Sequence, residues 1–342
     1  MVSVIIPVRN EEAFIANTLR SVLAQDYPGD RLEVLVVDGM SDDRTTDVVL
    51  EIAEQDSRVR LLQNPNRIMA SGFNQGLVEA QGDVIVMMGG HAEMAPNYVS
   101  TCTRALQQGI ADCAGAPIET IARDTRGAAI SQAMSSRFGV GSAFRSGCDK
   151  PRYVDTVAFG AYTRAIIEQA GGLDEELVRN QDDEFNYRLR KLGARILLLP
   201  GTYCRYTARG SLRALGKQFF DYGLWKVRVM QKHPAQMQVR HFVPSVFVLV
   251  LGVSMLTAPF SALARAILLL ALGCYAATNL FVSFWLTCQT RVWGRNALLP
   301  LVFAVLHFSY GLGFLAGLIH FSNRWNRPGP AGGLRSSGSD PK

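Results

Sequence analysis

Cysteines are few in this sequence, and their spacing excludes two common kinds of small stabilised domain. The six cysteines form no CxxC pair and no regular pattern, so neither a zinc knuckle nor a disulfide framework is predicted. We therefore expect reduced thiols, as in the cytoplasm. A secretory signal is not expected either, because the apolar run Val2–Val8 is too short and is ended by Pro7, Arg9 and Asn10.

Charged residues are also scarce, at 19% of the chain against about 25% in typical soluble domains. The shortage is concentrated in residues 242–321, which are mostly Leu, Val, Phe and Ala, whereas residues 2–238 have an ordinary mixed composition. A helix that crosses a bilayer needs about 20 apolar residues. The apolar stretch therefore predicts about three spans, at Phe242–Ala258, Leu263–Trp285 and Ala297–Phe321.

The charges that are present favour a basic protein, with a net charge of +6 and a pI of about 9.1. A basic balance suits either nucleic acid or anionic lipid. We expect membrane lipid and no nucleic acid as the partner, because no nucleic-acid-binding motif accompanies the basic residues. Many of them crowd the stretch that leads into the apolar region, namely Arg205, Arg209, Arg213, Lys217, Lys226, Arg228, Lys232 and Arg240.

The placement of the remaining arginines bears on membrane topology. Arg291 and Arg295 lie in a short loop between apolar stretches, which favours a cytoplasmic position for that loop. We expect the region before the spans on the same side, in a multi-pass protein of the inner (plasma) membrane. With three full spans, however, Arg324, Arg327 and Arg335 lie outside, in conflict with the same rule.

The first 90 residues alternate strand-like and helix-like segments. Near-continuous apolar runs of this kind are typical of strands buried on both faces of a parallel sheet, and the alternation predicts βαβ units in a doubly wound α/β fold. Ligands bind such sheets beyond the carboxyl ends of the strands, so Pro7–Glu12, Asp38–Asp43 and Gly89–Glu93 frame one crevice. The predicted strands are residues 2–6, 32–37, 59–62 and 83–88.

Two later segments have recognisable character. Val157–Tyr162 is strand-like, and Asp182–Leu192 is helical, with acidic residues in its first turn. Acidic residues at a helix start are often no more than capping and dipole chemistry. Ser211–Lys232 is amphipathic, which suits a helix in the membrane interface.

Five ordered motifs resemble one family. They are VSVIIPVRNEE from Val2, VVDGMSDDRT from Val36, NPNRIMASGFNQG from Asn64, GDVIVMMGGHAEMAP from Gly82, and GGLDEE followed by NQDDEFNYRLRKLG from Gly171. The chain resembles the inverting glycosyltransferase family 2, and within it the glucosyltransferases of bacterial exopolysaccharide (succinoglycan-type) assembly.

The resemblance implies an order of domains along the chain. A GT-A catalytic domain, with a Rossmann-like twisted and mostly parallel sheet that binds a nucleotide-diphospho-sugar, is expected over residues 1–210. An amphipathic interfacial helix and linker follow over 211–241. A membrane region of transmembrane helices covers 242–325, and a Gly-, Pro- and Ser-rich disordered tail covers 326–342.

The resemblance also implies residues that bind the donor. Pro7 and Glu11 line the nucleotide pocket, and Asp38 contacts the uridine. A carboxylate suits that place, because uracil and ribose offer N–H and O–H donors to an acceptor-only group. Arg67 lies near the diphosphate, where a guanidinium can bind two oxygens at once. The second acid that is frequent after Asp38 in the family is Gly39 here.

The metal motif of the family departs from its usual form. Family members carry Asp-x-Asp after the fourth strand, where it binds a divalent cation that bridges the donor phosphates. The corresponding residues here are Gly89 and His91. Imidazole suits Mn²⁺ better than Mg²⁺, which prefers oxygen. We expect a divalent metal, Mn²⁺ or Mg²⁺, bound through His91 with Glu93 as a further ligand; the alternative is a turn residue without metal.

The last motif implies the catalytic base. The Glu-Asp pair of the family falls on Gln181 and Asp182, so Asp182 is expected to take the proton from the acceptor hydroxyl. Asp183 is the neighbour that a shift of one residue in the alignment would select instead. A purely capping role for Asp182 is the structural alternative.

These residues imply transfer of a hexose, glucose or galactose, from a UDP-sugar to a lipid-linked saccharide. Gln218–Tyr222 does not match the Gln-x-x-Arg-Trp of processive synthases, which favours single addition. Two alternatives stay open. One is a polyprenyl-phosphate glycosyltransferase. The other is a catalytically degenerate sugar-nucleotide binder in a polysaccharide assembly complex, a hypothesis motivated by Gly89 and Gln181.

Overall fold

The computed structural model describes residues 1–122, 124–141, 144, 148–207 and 211–325. Arg209 and the tail expected at 326–342 lie outside the described residues. The chain forms two compact units. The first comprises residues 1–119 and 143–207, and the second comprises 120–142 and 208–328.

The elements follow one another in the order that the sequence predicts for the first 90 residues. The strands of the described residues are β1 (Val2–Val8), β2 (Leu32–Asp38), β3 (Val59–Gln63), β4 (Val84–Met87), β5 (Ala92–Met94), β6 (Cys113–Gly115), β7 (Ile118–Ile121), β8 (Arg152–Tyr153), β9 (Ala161–Thr163), β10 (Ile196–Leu198) and β11 (Cys204–Thr207). The helices are α1 (Ile15–Leu23), α2 (Thr45–Gln55), α3 (Met69–Glu79), α4 (Tyr98–Gln107), α5 (Thr125–Ser135), α6 (Arg164–Ala170), α7 (Gln181–Lys191), α8 (Leu212–Lys232), α9 (Val239–Thr257), α10 (Ala262–Thr290), α11 (Trp293–Asn296) and α12 (Leu299–His320).

A mixed, mostly parallel sheet forms the first unit. In the described residues its strand order is β3-β2-β1-β4-β9-β6-β10-β8, and β9 runs antiparallel to both of its neighbours. A smaller sheet has the order β5-β11-β7. The predicted doubly wound α/β fold is confirmed, and the order reverses between β1 and β4, which makes their junction the switch point of the sheet.

Both faces of the sheet are buried because alternate residues of each strand point to opposite sides. On one face, Val4 and Ile6 of β1 lie in a cluster with Leu19 of α1. On the other, Ile5 lies in a cluster with Phe73 of α3. Each such side chain contributes about 1.5–3 kcal/mol when fully buried. The packing fixes the strand ends, and therefore the crevice, to the body of the sheet.

The second unit is helical. Three of its described helices are long and apolar enough to cross a membrane, namely α9, α10 and α12. A buried cluster joins α5, α8 and α12 around Ile130, Leu215 and Phe303. The segment that contains α5 is thus part of the helical unit, although in the sequence it lies within the residues expected to form the catalytic domain.

Candidate active site

The crevice opens where β1 and β4 separate. Their pairing ends at Ile5 and Met87, and the amide of Met88 makes a final hydrogen bond of 3.0 Å to the Ile5 carbonyl. Beyond that point the chains diverge, so the strand ends can admit a ligand. Gly90 comes very close to β1, because a Cβ atom placed there would lie 2.7 Å from Val8 Cγ1.

The turns after β1 and β2 are joined by hydrogen bonds on the β1 side of this crevice. The Asn10 amide donates to the Ser41 hydroxyl at 2.9 Å, and the Asp42 amide donates to Asn10 Oδ1 at 3.0 Å. The Glu11 amide donates to Thr45 Oγ1 at 2.8 Å. These bonds satisfy backbone groups that no strand partner reaches. Motifs that lie 30 residues apart in the chain thus form one structure.

Asp38 lies at the end of β2 and is only 2% exposed. Its carboxylate accepts hydrogen bonds from the Ser41 amide at 3.0 Å and from the Ser41 hydroxyl at 2.5 Å. Its backbone carbonyl accepts from the Asn64 amide at 2.7 Å, which ties β2 to the segment after β3. A carboxylate can accept about four hydrogen bonds, so Asp38 retains the capacity to bind a nucleotide. Its contact with the uridine stays a prediction.

Three residues beside the crevice have left-handed backbone conformations. They are Asn10 (φ 56°), Met40 (φ 57°) and Arg67 (φ 62°), which follow β1, β2 and β3 respectively. Such conformations cost about 1 kcal/mol or more in non-glycine residues and cluster at functional sites. The Arg67 side chain is exposed, and its Cα lies 3.5 Å from where a Cβ on Gly39 would be. The same Cβ would lie 3.2 Å from the Val8 carbonyl oxygen, so a side chain at position 39 would be tightly packed.

His91 pairs with Glu11 across the crevice. Its Nδ1 lies 2.8 Å from Glu11 Oε1, and both side chains are partly buried. With Nδ1 as the donor to this carboxylate, Nε2 is the ring nitrogen that the pair leaves for another partner. Tyr206 and Phe14 hold the ring edge-on, with centroids 5.1 and 6.3 Å away. These contacts fix the orientation of the ring, and its role as a metal ligand stays a prediction.

Glu93 is the middle residue of β5. Ala92 and Met94 on either side of it are buried, and alternation along the strand places the Glu93 side chain on the opposite face. Glu93 pairs in register with Arg205 of β11, and that arginine forms an ion pair of 3.2 Å with Glu119. Within the described residues no three His, Cys, Asp or Glu side chains converge to hold a metal ion.

Phe159 covers the position where the family carries its leading metal-binding acid. A Cβ atom on Gly89 would lie 3.0 Å from Phe159 Cε1, so a larger side chain there requires the ring to move. Phe159 itself is left-handed (φ 54°), and its carbonyl accepts a hydrogen bond from the Tyr98 hydroxyl. The strand predicted at Val157–Tyr162 is therefore wrong in its first four residues, because this turn delays the strand to Ala161.

Helix α7 docks on the same turn. Asn186 Nδ2 donates to Thr156 Oγ1 at 2.7 Å and to the Val157 carbonyl at 3.1 Å. Asp182 precedes Asn186 by four residues and so lies on the same face of the helix. Burial raises the pKa of the Tyr162 phenol well above its usual range, and the neighbouring Cys113 and Asp182 side chains add to the effect. The Asp182 side chain therefore acts on Tyr162 of β9, three residues after Phe159.

The acidic residues of the first turn of α7 differ in their surroundings. Glu184 is 1% exposed, and its carboxylate binds the Arg188 guanidinium at 2.7 and 3.0 Å. Arg188 also donates to the carbonyls of Ala170 and Gly172, which holds the Gly-Gly-Leu-Asp loop in place. Asp182 and Asp183 are partly exposed. Glu184 is therefore structural, and the two aspartates remain candidates for chemistry.

Several residues of the site were not expected from the sequence. Phe159, Asn186 and Arg188 position the turn, the helix and the loop, yet none of them belongs to a catalytic residue type in a recognised spacing. Three thiols of the first unit are buried: burial raises the pKa of Cys102 to about 12 and raises the pKa of Cys113 and of Cys204 well above the usual range. These buried thiols are inert.

The sheet order, the crevice at its switch point and the strand-end motifs define a GT-A nucleotide-sugar transferase fold. Residues 3–169 match the family described as Glycosyl transferase family 2. The chain therefore carries a family 2 glycosyltransferase domain, and the protein is a glycosyltransferase.

Known proteins similar to this chain agree with that assignment. A Methanococcus voltae enzyme, dolichyl N-acetyl-alpha-D-glucosaminyl phosphate 3-beta-D-2,3-diacetamido-2,3-dideoxy-beta-D-glucuronosyltransferase, is 29% identical over 68% of this chain and 74% of its own length. Succinoglycan biosynthesis protein ExoA of Rhizobium meliloti is 26% identical over 94% of this chain and 96% of its own. The mannosyltransferase PcManGT of Pyrobaculum calidifontis, solved with GDP-Man and Mn²⁺, has a TM-score of 0.57 at 18% identity, covering 92% of this chain and 86% of that one. This last likeness concerns the fold alone.

Proposed function

We propose that this glycosyltransferase moves a hexose, glucose or galactose, from a UDP-sugar to a lipid-linked saccharide, with inversion at the anomeric carbon. The observation that carries the proposal is the approach of α7, which bears Asp182, to the turn that covers Gly89 at the end of β4. That approach supports a role for the Asp182 carboxylate at this crevice, which is of the type that binds nucleotides.

The donor is held at the β1–β2 side of the crevice. The buried Asp38 carboxylate keeps lone pairs for the N–H and O–H groups of uridine, beside the turn that Pro7 and Glu11 begin. The exposed Arg67 side chain supplies positive charge for the diphosphate. Because the turns after β1 and β2 are already fixed by hydrogen bonds, little ordering is needed when the nucleotide binds.

Asp182 is the proposed general base. It removes the proton of the acceptor hydroxyl as that oxygen forms a bond to the anomeric carbon and the bond to the departing diphosphate breaks. The incoming oxygen and the leaving group lie on opposite faces of the sugar, so the configuration inverts. General-base catalysis of this kind contributes about 10²–10⁴-fold in rate.

A divalent cation fits the residues present if the donor supplies most of its ligands. His91 Nε2 and the Glu93 carboxylate would hold it, and the Glu11–His91 hydrogen bond matches the carboxylate–imidazole pairs that orient metal-binding histidines. Mn²⁺ accepts such a nitrogen ligand more readily than Mg²⁺ does. When bound, the cation neutralises charge on the departing diphosphate.

The acceptor is proposed to be lipid-linked because the transferase domain is followed in the chain by apolar helices that could enter a membrane. The name of the Methanococcus voltae relative describes an acceptor sugar joined to dolichyl phosphate, and ExoA is named for succinoglycan biosynthesis. We place the protein in the inner membrane with its catalytic unit in the cytoplasm, where it could join a polysaccharide assembly complex.

A labelled-donor assay tests this function. Membranes that contain the protein are incubated with radiolabelled UDP-glucose or UDP-galactose and with a lipid-linked saccharide extract. Label that enters the lipid phase as a longer saccharide supports the proposal. Label joined directly to the carrier monophosphate would establish a polyprenyl-phosphate glycosyltransferase instead. Nucleotide binding without incorporation from either donor would favour a degenerate binder, as the missing acid at Gly89 suggests.

A further inference from the structure

Helix α12 has the composition of a membrane span, but its packing partners differ from those of α9 and α10. About 39% of the most apolar 18-residue stretch of α12 is buried within the protein, against 22% for α9 and 11% for α10. A span that faces lipid exposes most of its surface, as α10 does. The exposed large apolar side chains of the α9–α10 hairpin include Leu249, Val253, Leu256, Leu263, Leu269 and Leu270.

Helix α8 runs beside α12 in the same direction. A Cβ on Gly313 would lie 2.0 Å from the Phe220 carbonyl oxygen, and one on Gly317 would lie 2.6 Å from that of Leu224. Further along both helices, Gln231 Nε2 donates to the Phe321 carbonyl at 2.9 Å. Later residues of α8 therefore contact later residues of α12, which means that the two helices are parallel. Glycines let two helix backbones approach this closely.

Charge keeps α8 out of the hydrocarbon layer. Charged residues occur on α8 from its first turn to its last. Burying them in the hydrocarbon layer would cost much free energy, so a helix with this distribution is unsuited to cross the bilayer. An amphipathic helix of this kind lies in the membrane interface. Because α12 follows α8 for several turns, α12 has the same orientation. The charged residues of α8 are Arg213, Lys217, Asp221, Lys226, Arg228 and Lys232.

Helix α12 also passes across the hairpin instead of running along one of its helices. The His307 ring meets α10, with Nδ1 3.1 Å from the Tyr275 hydroxyl. Gly311, one turn later, meets α9, where a Cβ would lie 2.5 Å from the Pro244 carbonyl oxygen.

Further contacts show the direction of this crossing. Phe308 stacks edge-on with Phe247 of α9, and Phe314 does so with Phe242. Later residues of α12 therefore contact earlier residues of α9. If α12 were a third span after the α9–α10 hairpin, it would run parallel to α9, and its later residues would contact later residues of α9.

We propose that the α9–α10 hairpin is the bilayer-spanning anchor among the described helices, and that α12 lies across the base of this hairpin in the interface, beside α8. The partner of the exposed hairpin surface is the hydrocarbon core of the membrane. Two spans return the chain to the side on which it entered. Arg291 and Arg324 then lie on one side, which removes the conflict with the positive-inside rule for these described residues.

Cysteine labelling in intact cells tests the topology. In full-length protein with Cys148, Cys274 and Cys288 replaced by alanine, Asn323→Cys places a thiol at an exposed position just after α12. Asp30→Cys is the matched control in the catalytic unit, where residue 30 is also exposed. A membrane-impermeant maleimide is applied to intact bacterial cells and, separately, to lysed cells.

We expect both thiols to resist the reagent in intact cells and to react after lysis. Labelling of Asn323→Cys in intact cells, while Asp30→Cys stays protected, would establish three spans and overturn the proposal. If the cysteine variants do not accumulate, a reporter fused after Lys342 gives the same decision. Green fluorescence without alkaline phosphatase activity supports two spans, and the reverse contradicts them. Neither readout depends on which sugar is transferred.

Discussion

The two sides of the crevice are built by different physical means. On the β1–β2 side, hydrogen bonds between Asn10, Ser41 and their neighbours fix the turns. On the β4–β9 side, close packing fixes the chain instead: Phe159 packs against Gly89, and Val8 packs against Gly90. The polar side retains the motifs that the family uses for a nucleotide, whereas the packed side departs from them. The polar side is thus fixed by bonds within the protein, and the packed side is where the motifs of this chain differ from those of the family.

The largest effect on the reaction rate is expected from substitution of the proposed catalytic base, Asp182. Asp182→Asn keeps the shape of the side chain but cannot accept the acceptor proton, so kcat should fall about 10³-fold. Asp183→Asn, the matched neighbour, should stay within a few-fold of wild type. Initial rates with a radiolabelled donor measure both. A greater loss in Asp183→Asn than in Asp182→Asn would move the base to Asp183.

Substitution of Glu184 should lower the stability of the protein, whereas substitution of Asp182 should lower the reaction rate. Glu184→Ala leaves the Arg188 guanidinium without its buried carboxylate, a change that costs about 3–5 kcal/mol in comparable pairs. The free energy of unfolding, measured by denaturant titration in detergent, should fall accordingly, and that of Asp182→Asn should change little. Equal stability of Glu184→Ala and wild type would show that the pair does not support α7.

Glu11 is expected to orient His91 for metal. Glu11→Gln removes the carboxylate that holds the Nδ1 proton, and loss of such a partner typically weakens metal binding about 10–100-fold. Mn²⁺ titration by electron paramagnetic resonance, with UDP present, measures the affinity directly. His91→Ala should lose at least as much. Unchanged Mn²⁺ affinity in both variants would leave the pair without a metal-binding role.

Gly89 tests the packed side of the crevice. Gly89→Asp places an acid where the family has one, but its Cβ meets the Phe159 ring, and overpacking of this kind costs about 1–3 kcal/mol. Loss of the Phe159 ring from the core is itself destabilising, so the test is a double-variant cycle with Phe159→Gly, a residue that accepts the left-handed backbone. Gly89→Asp should lower the melting temperature less in the Phe159→Gly background than in wild type, and an equal loss in both backgrounds would show that the ring does not cause the crowding.

The smallest effect concerns acid stability on the polar side. Burial opposes ionisation of Asp43, but hydrogen bonds from Thr45 and from the Glu12 amide outweigh it and lower its pKa. Its stabilising contribution is therefore present above the ordinary pKa of about 4 and is lost as the pH falls through the lower, folded value. Asp43→Asn should show a shallower fall in melting temperature between pH 5 and pH 3. An identical slope would contradict this.

The polar side could be read from the sequence because its motifs are local. The strand that ends at Asp38 and the turn that Ser41 completes lie within a few residues, and the predicted strands of β1 to β4 are confirmed. The packed side could not. The Glu11–His91 bond joins residues 80 positions apart, and the turn at Phe159 depends on contacts with Gly89 and Tyr98 that no local pattern contains.

The anomeric configuration of the product tests the central claim most directly. If one aspartate activates the acceptor hydroxyl on the face opposite the departing diphosphate, a single displacement occurs and the configuration inverts. Proton NMR of the purified product, through the coupling between H1 and H2 of the transferred hexose, reads that configuration. We predict a β-linked hexose from an α-linked UDP-sugar. An α-linked product would contradict the single-base mechanism and the role assigned to Asp182.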